Sequence, residues 1–251
     1  MEKAILGKKL GMSQIFAPDG RFVPVTVVEA GPCPVIQVKT VEKDGYSAVK
    51  VGFGNIKEKN ANKAELGELK AGNIAPVRYM KELKLDGAEK FAPGQTIACD
   101  VFKKGDRVDI SGVTRGRGFT GTVQRWNAHI GPKAHGSGMH RAVGSMGSNT
   151  SPGRVFKHKL MPGHYGHENV TIQNLEIVRV DAARNIILVA GGIPGPRNSL
   201  VVLKQTVKRP TDSKWFLDPN REAAKVASQT TKNPQKASAK AANAATETKK
   251  K

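Results

Sequence analysis

The chain has 251 residues, and its 41 Lys and Arg against 21 Asp and Glu leave a net charge of +20. A charge of that size opposes compaction and calls for a polyanion, with nucleic acid the leading partner. It excludes little else by itself, but the chain has no long apolar span and no basic amphipathic helix with a bulky apolar face, so a membrane is not expected as a partner.

The opening Met1-Glu2-Lys3-Ala4-Ile5-Leu6-Gly7-Lys8-Lys9 lacks the apolar stretch of a secretion signal, and a cytoplasmic location is expected. From Gly7 to Phe53 short β-branched runs alternate with turns. The runs are Phe22–Val28, Val35–Val38 and Tyr46–Val51, with turn chemistry at Pro18-Asp19-Gly20, Gly31-Pro32-Cys33-Pro34 and Asp44-Gly45. This pattern predicts antiparallel strands of a small barrel or sandwich. Mixed charges with Ala, Leu and Lys predict two short helices, Ala61–Lys70 and Val77–Leu85, in an insertion over about 55–95. Cys33 and Cys99 are single, widely spaced and in apolar surroundings, which predicts buried free thiols rather than a disulfide or metal site. Strand character returns at Thr96–Val101 and Arg107–Ile110. It then vanishes until Val170–Ile172, Leu175–Val180, a turn at Asp181–Asn185, Ile186–Val189 and Leu200–Leu203. The expected organisation is a first part of the sheet over 1–110, an extended loop over 111–167, a second part over 168–208 and a basic low-complexity tail over 209–251.

The 58 residues from Ile110 to His167 contain no acid, where the chain average would place about five. They contain eight cations (Arg115, Arg117, Arg125, Lys133, Arg141, Arg154, Lys157 and Lys159), all six histidines and twelve of the 27 glycines. Arginine forks onto phosphate and stacks on bases, glycine admits close backbone approach, and Trp126 offers a flat surface for an unpaired base. Phe119, Val123, Trp126, Ile130, Val155 and Phe156 are too spread to form a core. The expectation is therefore a segment mobile in the free protein and ordered by RNA.

Other readings of the segment fail on chemistry. Gly116-Arg117-Gly118-Phe119-Thr120-Gly121 fits a GxGxxG loop, but the following Thr122–Asn127 does not read as an opening helix and no acid stands twenty residues on to hold a ribose. His129, His135, His140, His158, His164 and His167 lack metal-site spacing, and neighbouring cations oppose a divalent ion. They read as base or phosphate contacts. The nearest carboxylates that could orient a general-base histidine, Asp109 and Glu168, lie at the stems of the segment. No catalytic role, cofactor or small-molecule substrate is expected.

The motifs together resemble the bacterial large-subunit ribosomal protein three family across about Met1 to Lys208. The resemblance is carried by Gly7-Lys8-Lys9-Leu10-Gly11-Met12-Ser13-Gln14-Ile15-Phe16, Pro24-Val25-Thr26-Val27, Gly116-Arg117-Gly118-Phe119 and Gly121-Thr122-Val123-Gln124-Arg125-Trp126-Asn127. It continues through His135-Gly136-Ser137, His140-Arg141, Gly144-Ser145-Met146-Gly147, Ser151-Pro152-Gly153-Arg154-Val155-Phe156-Lys157, Val170-Thr171-Ile172-Gln173-Asn174-Leu175 and Ile193-Pro194-Gly195.

The resemblance implies a mainly β fold: a small six-stranded antiparallel translation-protein-type β-barrel, with a short α/β insertion and a long irregular loop penetrating RNA. It implies binding near the 3′ end of the large ribosomal RNA, nucleation of subunit assembly, contact with neighbouring large-subunit proteins, and a loop tip at Gly144–Arg154 reaching toward the peptidyl transferase centre. Asn149 would lie close to that centre, with Trp126 on the facing arm. Thr150 stands where many relatives carry a side-chain-methylated glutamine, so that modification is not expected. The expected RNA-binding residues are Arg115, Arg117, Arg125, Trp126, His129, Lys133, His135, His140, Arg141, Asn149, Arg154, Lys157, Lys159 and His164. Two competing readings are an RNA chaperone or regulator acting away from the ribosome and an enzyme using the histidines on nucleic acid.

Overall fold

A computed structural model describes residues 3–17 and 20–208. Pro18, Asp19 and the tail from Arg209 lie outside the described residues. In chain order the strands are β1 (Ala4–Phe16), β2 (Phe22–Ala30), β3 (Cys33–Lys39), β4 (Ala48–Asn55), β5 (Val77–Leu83), β6 (Thr96–Ile97), β7 (Arg107–Val113), β8 (Gly118–Thr120), β9 (Gly163–Tyr165), β10 (Asn169–Asp181), β11 (Ile186–Ala190) and β12 (Leu200–Gln205). The α-helices are α1 (Val41–Asp44), α2 (Lys63–Ala71) and α3 (Thr122–Trp126).

Six strands close a barrel in the order β1-β12-β7-β10-β11-β2, and every neighbouring pair is antiparallel. The period-two pattern of β-branched residues explains why. In β11, Ile187 and Val189 are fully buried while Ile186, Leu188 and Ala190 beside them are only partly covered. Ile5, Val28, Val108, Ile110, Ile177, Ile187 and Leu203 are buried from all six strands and share one core. Closure leaves the barrel with no open sheet edge. Among the described residues no helix is long and apolar enough to cross a membrane.

The strand runs before Phe53 do not all enter this barrel. The chain leaves it at Gly31, whose φ of +83° suits glycine. From there β3 and β4 join a separate four-stranded sheet ordered β5-β4-β3-β6. The excursion thus begins well before residue 55. Its buried Val35, Val49, Val51 and Leu83 belong to the same core as the barrel's Ile5 and Leu203, so the second sheet is packed onto the barrel.

The helix expected at Ala61–Lys70 is α2, begun by the Asn62 backbone N–H donating to Glu65 Oε2 at 3.2 Å and pinned by buried Leu69. The helix expected at Val77–Leu85 is instead β5, which pairs with β4 from Val49↔Leu83 to Asn55↔Val77. Met80, Lys81, Glu82 and Leu83 are good helix formers. The open edge of β4 and the burial of Val77 and Leu83 prevail over that weak preference. At Thr96–Val101 the strand covers only Thr96–Ile97, and Cys99–Val101 form a 3-10 turn. Cys33 and Cys99 are buried free thiols. Cys33 Sγ donates to the Leu6 carbonyl at 3.5 Å, and burial pushes its pKa up to about 11.

Candidate nucleic-acid interface

The acid-free segment leaves the barrel from β7 and returns in β10. At its root Val113 pairs with Asn169 and Gly112 with Val170, and the Ser111 and Thr171 hydroxyls are hydrogen-bonded at 2.8 Å. The ladder continues outward. The Thr114 N–H donates to Glu168 O at 2.9 Å, the Glu168 N–H donates to Thr114 Oγ1 at 3.1 Å, and the Arg117 N–H donates to Tyr165 O at 2.9 Å. Then β8 and β9 pair Gly118, Phe119 and Thr120 with Tyr165, His164 and Gly163. Gly166 sits between the two ladders at φ +77°, and a Cβ there would collide with the Arg115 carbonyl. The stretch expected to have no regular structure therefore contains a two-armed stem.

The stem ends in a clamp. Arg125 Nη1 and Trp126 Nε1 both donate to the Met161 carbonyl, each at 3.0 Å, and the Arg125 guanidinium stands 4.9 Å from the Trp126 ring centre. Thr122–Trp126 form the one-turn helix α3, closed by Asn127 in the left-handed region at φ 54°. This corrects the expectation that no helix follows the glycine-rich stretch. The turn exists because buried Thr122 and the clamp hold it, whereas residue preferences there are weak. A five-residue helix preceded by a strand that lies inside the motif is still not a dinucleotide-binding unit.

Beyond the clamp, backbone hydrogen bonding is sparse. The Gly131 N–H donates to His140 O at 3.1 Å, and His140 Nδ1 lies 3.0 Å from Pro132 O. These contacts gather Lys133, His135 and His140 into one turn. Around the tip, Arg154 stacks on Phe156 at 5.5 Å. In the stem, Arg117 stacks on Tyr165 at 5.8 Å.

Of the residues expected to contact RNA, Arg115, Arg117, Trp126, His129, Lys133, His135, His140, Arg141, Asn149, Arg154, Lys157, Lys159 and His164 are exposed. Arg125 is part-buried and engaged in the clamp. None of the eight cations forms an ion pair with a described residue. Their charge is uncompensated among the described residues, which suits an external polyanion. Among the described residues no group of three His, Cys, Asp or Glu could hold a metal ion. Asp109 does not orient a histidine; its Oδ1 accepts the Asn174 N–H at 2.8 Å.

Three features were not read from sequence. Phe119, 80% exposed in the middle of β8, is a second flat surface two residues from Arg117; an aromatic ring within the acid-free glycine-rich run was the available signal. The Met161 carbonyl gave no signal, since backbone groups have none in a sequence. The third is a buried polar foot below the loop. There Arg107 Nη2 lies 3.4 Å from Glu176 Oε2, and Arg107 Nη1 donates to Asn174 O at 3.2 Å. Asn174 stands at φ 61° in the bulge of β10 between Ile172 and Leu175.

A closed barrel thus projects a basic, acid-free loop on a two-armed stem, and none of the loop's cations is ion-paired with a described residue. The family model for ribosomal protein L3 matches residues 55–185, just over half of the chain and all of the loop. The chain belongs to that family, whose members are structural constituents of the large ribosomal subunit, associated with ribosomal RNA and ribosomal proteins, and not enzymes.

Proposed function

We propose that this chain is a primary binder of the large ribosomal RNA, that it attaches near the RNA's 3′ end and helps nucleate subunit assembly, and that its loop reaches toward the peptidyl transferase centre. The observation that carries this reading is the loop itself: eight cations and no acid, with every cation but Arg125 exposed and none ion-paired with a described residue. In this reading the stem fixes direction while Arg115, Arg117, Lys133, Arg141, Arg154, Lys157 and Lys159 contact phosphate. Trp126 and the histidines stack on or bond to unpaired bases. The tip, Gly144–Arg154 with Asn149, goes deepest.

The residues beyond the clamp have few bonds of their own, which supports a tip that takes its final order from RNA. The protein works in the cytoplasm, within the subunit and against neighbouring large-subunit proteins. It positions RNA and carries out no chemistry itself.

Reconstitution tests this reading. Subunits assembled with Arg115, Arg117 and Arg154 replaced by Gln should accumulate as incomplete particles although the variant is folded. Normal particles with full peptidyl transfer would refute it.

A further inference from the structure

Segments far apart in sequence meet at one end of the barrel. Lys9 Nζ donates to Ile193 O at 2.7 Å and to Gly195 O at 2.8 Å, across 184 and 186 residues. The Lys9 N–H donates to Ser199 O at 3.0 Å, and Lys9 O accepts the Asn198 N–H at 2.7 Å. One residue thus bonds to four positions of the connection, 193, 195, 198 and 199, while Gly191 is held by the Thr26 hydroxyl and the Pro24 carbonyl. Its ammonium is part-buried, and desolvation lowers its pKa.

The connection is wedged against the root of the long loop. Ile193 is in the barrel core, and Pro194 is so close to Gly112 that a Cβ there would lie 3.2 Å from Pro194 Cγ. Gly195, at φ +97°, could not be replaced without pressing on Ser199 and the Val113 carbonyl. This fixed turn presents Arg197, which is exposed and forms no hydrogen bond or ion pair with any described residue. Arg197 Nε lies over Gly11, 3.9 Å from where a Cβ would stand.

Charge supplies a separate observation. No Asp or Glu occurs between Glu2 and Asp19, or between Asp181 and Asp212, so both partners of this contact repeat the absence seen in the long loop. The nearest acid in the ladder, Glu29, is in register with Lys8. The turn offers a forked donor and close backbone approach, but Gly191–Ser199 contains no aromatic ring to stack on a base.

We propose that the 191–199 connection, seated on Lys9, is a second RNA-contacting surface beside the loop root, with Arg197 bound to backbone phosphate and Lys9 as its positioning residue. This rests on the RNA reading of the loop and extends the footprint onto the barrel.

The test uses the full chain and a transcript of the whole large-subunit RNA, with affinity measured across salt. Arg197→Gln should weaken binding about fivefold at physiological salt and lower the log-log salt slope by about 0.7–0.9. Lys9→Met should weaken it at least as much, and adding Arg197→Gln to Lys9→Met should cost little more, because both act through one contact. A photo-crosslinking residue placed at 197 should attach to RNA in assembled subunits; this arm and Arg197→Gln decide the matter even if Lys9→Met fails to fold. Wild-type affinity and slope for Arg197→Gln, with loss for Arg117→Gln in the same assay, would overturn the second surface and leave the loop reading standing. Crosslinks to protein alone would also overturn it. If Arg117→Gln were silent as well, the RNA reading would fall with it.

Discussion

The barrel and the loop are made from opposite solutions to the same problem of charge and burial. In the barrel, several cations are committed internally: Arg107 to Glu176 and Asn174, Lys3 to Asp106 at 3.0 Å, and Lys9 to two carbonyls. In the loop no cation has an acidic partner among the described residues, and large apolar groups such as Phe119 and Phe156 face outward. The barrel is stable by what it satisfies, and the loop is available by what it leaves unsatisfied. Between them stand the paired stem and the Arg125–Trp126 clamp on the Met161 carbonyl. The comparison teaches that basic residues must be sorted by their partners before they are counted as RNA contacts. Arg125 already commits one Nη1–H to the Met161 carbonyl.

The largest expected effect breaks the barrel. Glu176→Ala leaves the Arg107 guanidinium buried without its carboxylate and should destabilise the protein by about 3–5 kcal/mol, measured by denaturant unfolding. RNA binding should be lost only as far as folding is lost. A change below about 1 kcal/mol would mean that the buried foot contributes little.

Next comes a change confined to the loop. Replacing Arg115, Arg117 and Arg154 together with Gln should weaken RNA binding by roughly a hundredfold while the unfolding midpoint stays put. The clamp should show an intermediate behaviour. Trp126→Phe keeps a ring but removes the donor to Met161, so it should speed limited proteolysis within 127–160 and cost about 1 kcal/mol at most. If cleavage there is unchanged, the clamp does not hold the arms.

The smallest effect concerns Cys33. Its thiol titrates at about 11 in the folded protein, above its unfolded value, so its contribution to stability is complete below about pH 8.5 and is lost as pH rises through about 11. Cys33→Ala should reduce the loss of stability between those pH values, read as a smaller shift in unfolding midpoint.

Much of this was legible in the sequence, for physical reasons that differ by region. Strands such as Ile186–Val189 and Leu200–Leu203 were legible because period-two burial writes itself into residue type. The basic loop was legible because an absence of acids over a long window is written directly in residue type. Which sheet Val35–Val38 and Tyr46–Val51 would join was not legible, because alternation marks a strand and not its neighbour. Val77–Leu83 was misread because its helix-forming residues answer to an open edge of β4, a tertiary fact. The stem was missed because its stability comes from backbone pairing between residues some fifty apart, as in Thr114 with Glu168. The role of Arg125 was missed because its partner is a carbonyl.

The central claim is that the loop's unpaired cations are phosphate contacts on a scaffold that folds without them. The most direct measurement is the salt dependence of binding to large-subunit RNA, for the native chain and for the Arg115, Arg117 and Arg154 to Gln variant. The account predicts a log-log slope smaller in magnitude by about 2–3 in the variant, with unchanged thermal unfolding. An unchanged slope in a folded variant would contradict it.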